Sequence, residues 1–124
     1  MQFHDYHLRS NEVSDFGRVI TLDLLYEYPG RPVRESQIRF NGVKLYHFVH
    51  TIGAIITDIE EVSLKELLRE HEASIKAWST DQGIADWHTG VEQLFQDWSA
   101  LSLKGWCIES AIGFNGFVIA TSVI

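Results

Sequence analysis

The stretch Arg18-Val19-Ile20-Thr21-Leu22-Asp23-Leu24-Leu25-Tyr26 puts Ile20, Leu22, Leu24 and Tyr26 on one side of an extended chain. Period-two alternation of this kind marks a half-buried strand, because successive side chains of a strand point to opposite faces. Asp15-Phe16-Gly17 before it is a turn signal, so Tyr6 to Val13 reads as the first strand of a hairpin. Pro29-Gly30-Arg31-Pro32 after it forces another turn.

Working outward, a third strand is expected from Arg34 to Phe40, ending at Asn41-Gly42. Val43 to Val49 and Ala54 to Val62 read as two more, separated by His50-Thr51-Ile52-Gly53. Five strands with short connections predict an antiparallel meander, since parallel neighbours need long crossovers.

Ser63-Leu64-Lys65-Glu66 is a capping-box pattern that opens a helix, and Leu64, Leu67, Leu68, Ile75 and Trp78 follow at helical spacing with His71 on the same stripe. Residues 81–90 read as loop. Thr89-Gly90-Val91-Glu92 repeats the capping pattern, and Val91, Leu94, Phe95 and Trp98 predict a second helix over 90–100. Lys104 to Ala111 and Phe117 to Val123 alternate around Gly113-Phe114-Asn115-Gly116, the pattern of a C-terminal hairpin. The expected fold is a single α+β domain over 1–124: an antiparallel β-sheet, meander plus C-terminal hairpin, with one or two covering helices. Its predicted core is Ile20, Leu22, Leu24, Ile38, Phe40, Ile59, Leu67, Leu68, Trp98, Ile108 and Ile119.

The 124 residues suffice for one hydrophobic core without staples, and 45% hydrophobic with 22% charged residues is a globular composition. A formal charge of -7 opposes broad attraction to nucleic-acid phosphates or anionic lipid and suits a basic partner better. Cys107 is the one cysteine, so no intramolecular disulfide can form, and a buried inert thiol on the hairpin is expected. Met1 to Arg9 carries histidines and an aspartate where a signal peptide has an apolar run, and no stretch approaches a membrane span. A cytoplasmic protein without membrane or nucleic-acid partners follows as the expectation.

Two groups of residues compete as carriers of function. Asp58 and Glu60 share a strand face beside Glu61 and can accept a basic side chain or a divalent cation, or simply keep a strand edge solvated. With Asp86 and Trp87, an acidic pair of elements around a candidate interface anchor, they form the expected partner-binding set. The alternative is a metal-dependent or His/Asp-based enzyme using His4, Asp5, His47 and His50, imidazole and carboxylate donors suited to a transition metal. His4 and His7 fall on opposite strand faces, which weakens that set. Phosphate-binding glycine loops, serine elbows and metal-spaced cysteine pairs do not occur.

Phe3-His4-Asp5-Tyr6-His7-Leu8, Asp58-Ile59-Glu60-Glu61 and Ile108-Glu109-Ser110-Ala111-Ile112-Gly113-Phe114-Asn115-Gly116-Phe117 together form a pattern that resembles small uncharacterised bacterial domains. Some of these look like immunity proteins of contact-dependent or polymorphic toxin systems. The resemblance implies a cytoplasmic inhibitor that binds a cognate toxin, with no cofactor and no reaction of its own. Ile75 to Ser102 has no counterpart in the pattern, and no functional residue is carried over to it.

Overall fold

In the computed structural model, which describes residues 2–82 and 90–124, Ile20, Leu22 and Leu24 are fully buried on one face of strand β2 (Val19–Tyr26). β2 pairs antiparallel with β1 (Gln2–Ser14) across the tight turn Asp15–Gly17, and with β3 (Arg34–Asn41) on its other side. All eleven core residues expected from the sequence are buried.

The chain then departs from a simple meander. β4 (Leu45–Val62) pairs with the far side of β1, giving the order β5-β4-β1-β2-β3-β6. Spatial order 4-1-2-3 is that of a Greek key. Only residues 42–44 join β3 to β4, so the sheet must curl to bring those strands together. β5 (Lys104–Ala120) lies along β4, and one residue later β6 (Ser122–Val123) pairs with β3, tying the two ends of the sheet order. Thr121 N donates to Asn41 O at 3.0 Å and Lys44 N to Ile119 O at 2.8 Å across that closure.

Two local expectations change. The two strands expected at 43–49 and 54–62 are one strand, β4, which begins at Leu45, because 51–54 bulge out between the pairs His50↔Phe114 and Ile55↔Ile112. Only Gly113 of β5 faces that bulge. Likewise the C-terminal hairpin is replaced by the single strand β5, both halves of which pair with β4 instead of with each other. A reversal at Gly113-Phe114-Asn115-Gly116 would take Phe114, now fully buried, out of the core and give up the ladder to β4. The positive φ of Gly113 (80°) supplies a bend instead of a turn.

Helices α1 (Leu64–Glu70), α2 (Glu72–Gln82) and α3 (Val91–Ala100) connect β4 to β5 and pack on the outside of the curl. Ser63 Oγ accepts from Glu66 N at 3.3 Å, the cap that the sequence pattern specifies. The single expected helix after Ser63 is broken at His71, yet His71 N donates to Leu67 O and Ile75 N to His71 O across the break, so α1 and α2 continue one apolar stripe. α3 is preceded by Gly90, which offers no side-chain cap; Thr89 lies outside the described residues.

β5 serves two cores by alternation. Trp106, Ile108, Val118 and Ala120 join Leu22, Phe40 and Ile56 inside the curl, whereas Phe117 and Ile119 join Leu67, Leu68, Leu94 and Trp98 beneath the helices. Among the described residues no helix is long and apolar enough to cross a membrane.

Candidate functional site

Tyr28-Pro29-Gly30-Arg31 has proline at the second position and glycine at positive φ (75°) at the third, the residue chemistry of a type II turn. Arg31 N closes it by donating to Tyr28 O at 3.1 Å. The turn folds Arg31, Pro32 and Arg34 back toward the end of β2 and the start of β1. Between them lies a cavity of about 630 Å³ lined by His4, Asp5, Tyr6, Tyr26, Tyr28, Arg31, Pro32 and Arg34.

Its wall is a chain of rings. Phe3 meets Tyr6 edge-on at 5.6 Å, Tyr6 contacts Tyr26 at 5.5 Å, Tyr26 meets Tyr28 at 4.9 Å, and His7 stacks on Tyr28 at 5.4 Å. The Arg34 guanidinium lies 5.8 Å from the Tyr26 ring centre, within cation–π range. Tyr28 Oη donates to the Asp5 carbonyl at 2.7 Å, which holds Asp5 at φ 65°, a left-handed conformation that costs a non-glycine residue. Desolvation, followed by the negative charge of Asp5 and the neighbouring Tyr26, pushes the Tyr28 hydroxyl above its usual pKa, so it remains a neutral donor.

Arg9 is ion-paired to Asp23 and Glu35, Arg18 to Asp15, and Arg69 to Glu92. Arg31 and Arg34 form no ion pair with the described residues. Arg39, Lys44 and Lys104 likewise form no ion pair with the described residues; what sets Arg31 and Arg34 apart is that they border one cavity together.

A second depression, about 350 Å³, lies where Glu70 at the end of α1 and His71 after it face β4 and β5. Phe117 forms its floor. His71 stacks on Phe117 at 4.2 Å, His47 stacks on Trp78 at 5.1 Å, and Trp78 lies 6.4 Å from Phe117. Glu70 and Glu109 border these rings, and neither is ion-paired to a lysine or arginine among the described residues. Their charge reaches Cys107 in the same groove: burial first, then Glu70, Glu109 and Glu60, raises its thiol above the usual value. A protonated thiol is a poor nucleophile; the side chain is half-buried on β5, where the sequence predicted a buried one on a hairpin.

The sequence-predicted residues are distributed over several places. Asp58 is opposite Glu109 in the β4–β5 ladder and Glu60 is opposite Cys107, so both stand on the groove side of the sheet. A hydrogen bond to Asp58, then the charges of Asp58 and Glu109, raises the Glu60 carboxyl above its usual pKa. Glu61 is opposite Trp106 and lines a separate cleft with Ser63, Ser99, Ser102 and Lys104. Asp86 and Trp87 lie outside the described residues.

His4 and Asp5 form an exposed pair at 3.6 Å on the tyrosine–arginine cavity. His47 is stacked in the groove, and His50 faces Asn11 at 3.1 Å and the edge of Phe114. These four side chains therefore occupy three separate surroundings. Among the described residues no three His, Cys, Asp or Glu side chains are grouped to hold a metal ion.

Sequence reasoning missed Tyr6, Tyr26, Tyr28, Arg31 and Arg34 as a set. The available signal was Tyr26 to Arg34, where two arginines and two tyrosines flank a Pro-Gly turn. It also missed Glu70, His71 and Phe117 as groove residues, although His71 was already on the helical stripe. No family model matches the chain, and neither a curated protein nor a solved structure is significantly similar to it.

Proposed function

We propose that this chain is a protein-binding module of the immunity type, an inhibitor that meets a basic toxin surface through the groove between α1–α2 and β4–β5. The observation that carries this reading is the pairing of aromatic faces with carboxylates: His47, Trp78 and Phe117 lie beside Glu70 and Glu109, with Glu60 on the same side of the sheet. A lysine or arginine side chain gains from both, by cation–π attraction and by ion pairing. It would also offset the negative charges of Asp58 and Glu109 that, after the hydrogen bond to Asp58, raise the Glu60 carboxyl. Trp78, stacked on the groove residue His47, is of a residue type that dominates binding energy when covered.

The test is an NMR titration with a short arginine-rich peptide and a glutamate-rich peptide of equal length. The basic peptide should shift the His47, His71 and Trp78 ring signals, more weakly as salt rises. Equal or absent shifts with the two peptides would remove the groove from the model. The immunity role is tested separately, by co-expressing the chain with the product of the neighbouring gene and scoring growth; a harmless neighbour, or a toxic one that is not neutralised, rejects it.

A further inference from the structure

The tyrosine–arginine cavity has the opposite chemistry and no part in that function. Its volume of about 630 Å³ falls in the range of small-molecule pockets, roughly 300–1,000 Å³. We propose that it is a binding site for a small organic oxyanion, a phosphate or carboxylate carried on a flat ring, with Arg31 and Arg34 holding the oxyanion and Tyr6 and Tyr26 the ring.

Three independent features carry this. First, Arg31 and Arg34, like Arg39 and unlike Arg9, Arg18 and Arg69, have no carboxylate partner among the described residues, and unlike Arg39 they border one cavity together. A planar guanidinium presents a fork of donors matched to carboxylate and phosphate oxygens, and the carboxylate on this cavity, Asp5, is paired with His4 and with neither arginine. Second, Tyr6 and Tyr26 are in ring contact at 5.5 Å and line the cavity, offering half-buried aromatic surface to a flat ligand. Their hydroxyls make no hydrogen bond to other described residues and can add donors to the oxyanion.

Third, the site is held in shape before any ligand arrives. Tyr28 bonds the Asp5 carbonyl, and the Pro29-Gly30 turn fixes the arm that carries both arginines. Preorganisation of this kind lowers the ordering cost of binding. Asp5 gives the site its selectivity: a carboxylate on the wall opposes polyanions, so a single oxyanion is favoured over a nucleic-acid backbone.

Calorimetric and NMR titrations with phenyl phosphate, benzoate, inorganic phosphate and uncharged benzyl alcohol test the proposal. Phenyl phosphate or benzoate, or both, should saturate and move tyrosine ring signals, and whichever binds more tightly identifies the oxyanion. Arg31→Gln and Arg34→Gln should each weaken binding about tenfold, the value of one lost charge-assisted contact. Arg39→Gln, outside the cavity, should leave it unchanged. The replaced side chains are exposed, and unchanged melting of the variants verifies their folding. No saturation below about 10 mM by either ring anion would overturn the proposal, as would equal binding by benzyl alcohol or equal affinity for inorganic and phenyl phosphate. Because the groove titrates through His47 and Trp78 and the cavity through tyrosines, failure of one leaves the other decided on its own data.

Discussion

The tyrosine–arginine cavity and the acidic groove are both aromatic depressions on one sheet, but they differ in what lies beneath them. The groove is floored by Phe117, 2% exposed, whose ring belongs to the core shared by β5 and the helices. The cavity is built above the curled sheet from half-buried tyrosines, a turn and two exposed arginines. One site is therefore part of the fold's foundation, and the other is attached to it. Changes in the groove floor should damage stability and binding together, whereas changes at the cavity should separate the two.

The largest expected effect follows from that difference. Phe117→Ala should cost roughly 3–5 kcal/mol through lost transfer energy and the void left between β5 and the helices. Denaturant unfolding measures it, and a loss below about 1 kcal/mol would show that the groove floor is not a core element. Leu22→Ala, in the core inside the curl, should cost roughly 2–5 kcal/mol by the same mechanism. A single transition in each variant, coincident by circular dichroism and by tryptophan fluorescence, would show that the two cores belong to one cooperative unit.

Tyr28→Phe should have a smaller effect and a different kind. It removes the hydroxyl that bonds the Asp5 carbonyl but keeps the ring stacked on His7 and edge-on to Tyr26. The melting midpoint should fall slightly while the cavity loses affinity for the ring anion, because Asp5 is no longer held in its left-handed conformation. A variant that binds as well as the native chain would show that the Asp5 tie contributes nothing to the site.

The same contrast explains what could be read from the sequence. Burial in strands and helices follows local periodicity, so Leu22 and Phe40 in the curl and Leu68 and Trp98 under the helices were all legible. Ser63 was legible because a cap is defined within four residues. The β5 strand was misread at Gly113 because a glycine with positive φ serves a bend as well as a turn, and what decides between them is the distant partner β4. The bulge at 51–54 was misread for the same reason. The cavity was illegible because its parts come from 4–6 and 26–34, brought together by strand register. Net charge concealed it further, since -7 describes the whole surface and says nothing of where two arginines lack partners.

The smallest effects concern two glutamates whose surroundings have opposite signs. Hydrogen bonds from Arg69 and Lys65 lower the Glu92 carboxyl below its ordinary value of 4.5, while Asp58 and then Glu109 raise Glu60 above it. Where the folded carboxyl is the stronger acid, the folded state binds fewer protons than the unfolded one. The Glu92 contribution is then present above 4.5 and disappears as pH falls through the lowered value. For Glu60 the folded state binds more protons, so its charge opposes folding above the raised value, and the penalty is gone below 4.5. Glutamine imitates the protonated form in both cases. Glu92→Gln should therefore lower the melting midpoint at pH 7, and the difference from the native chain should shrink below pH 4.5. Glu60→Gln should raise the midpoint slightly at pH 7, and that gain should vanish as pH falls to 4.5. Melting curves at pH 7, 5.5, 4.5 and 3 separate the two. If Glu60→Gln instead lowered the midpoint at pH 7, as Glu92→Gln should, the Glu60 charge would already be compensated within the chain itself, and a basic partner would have no repulsion there to relieve.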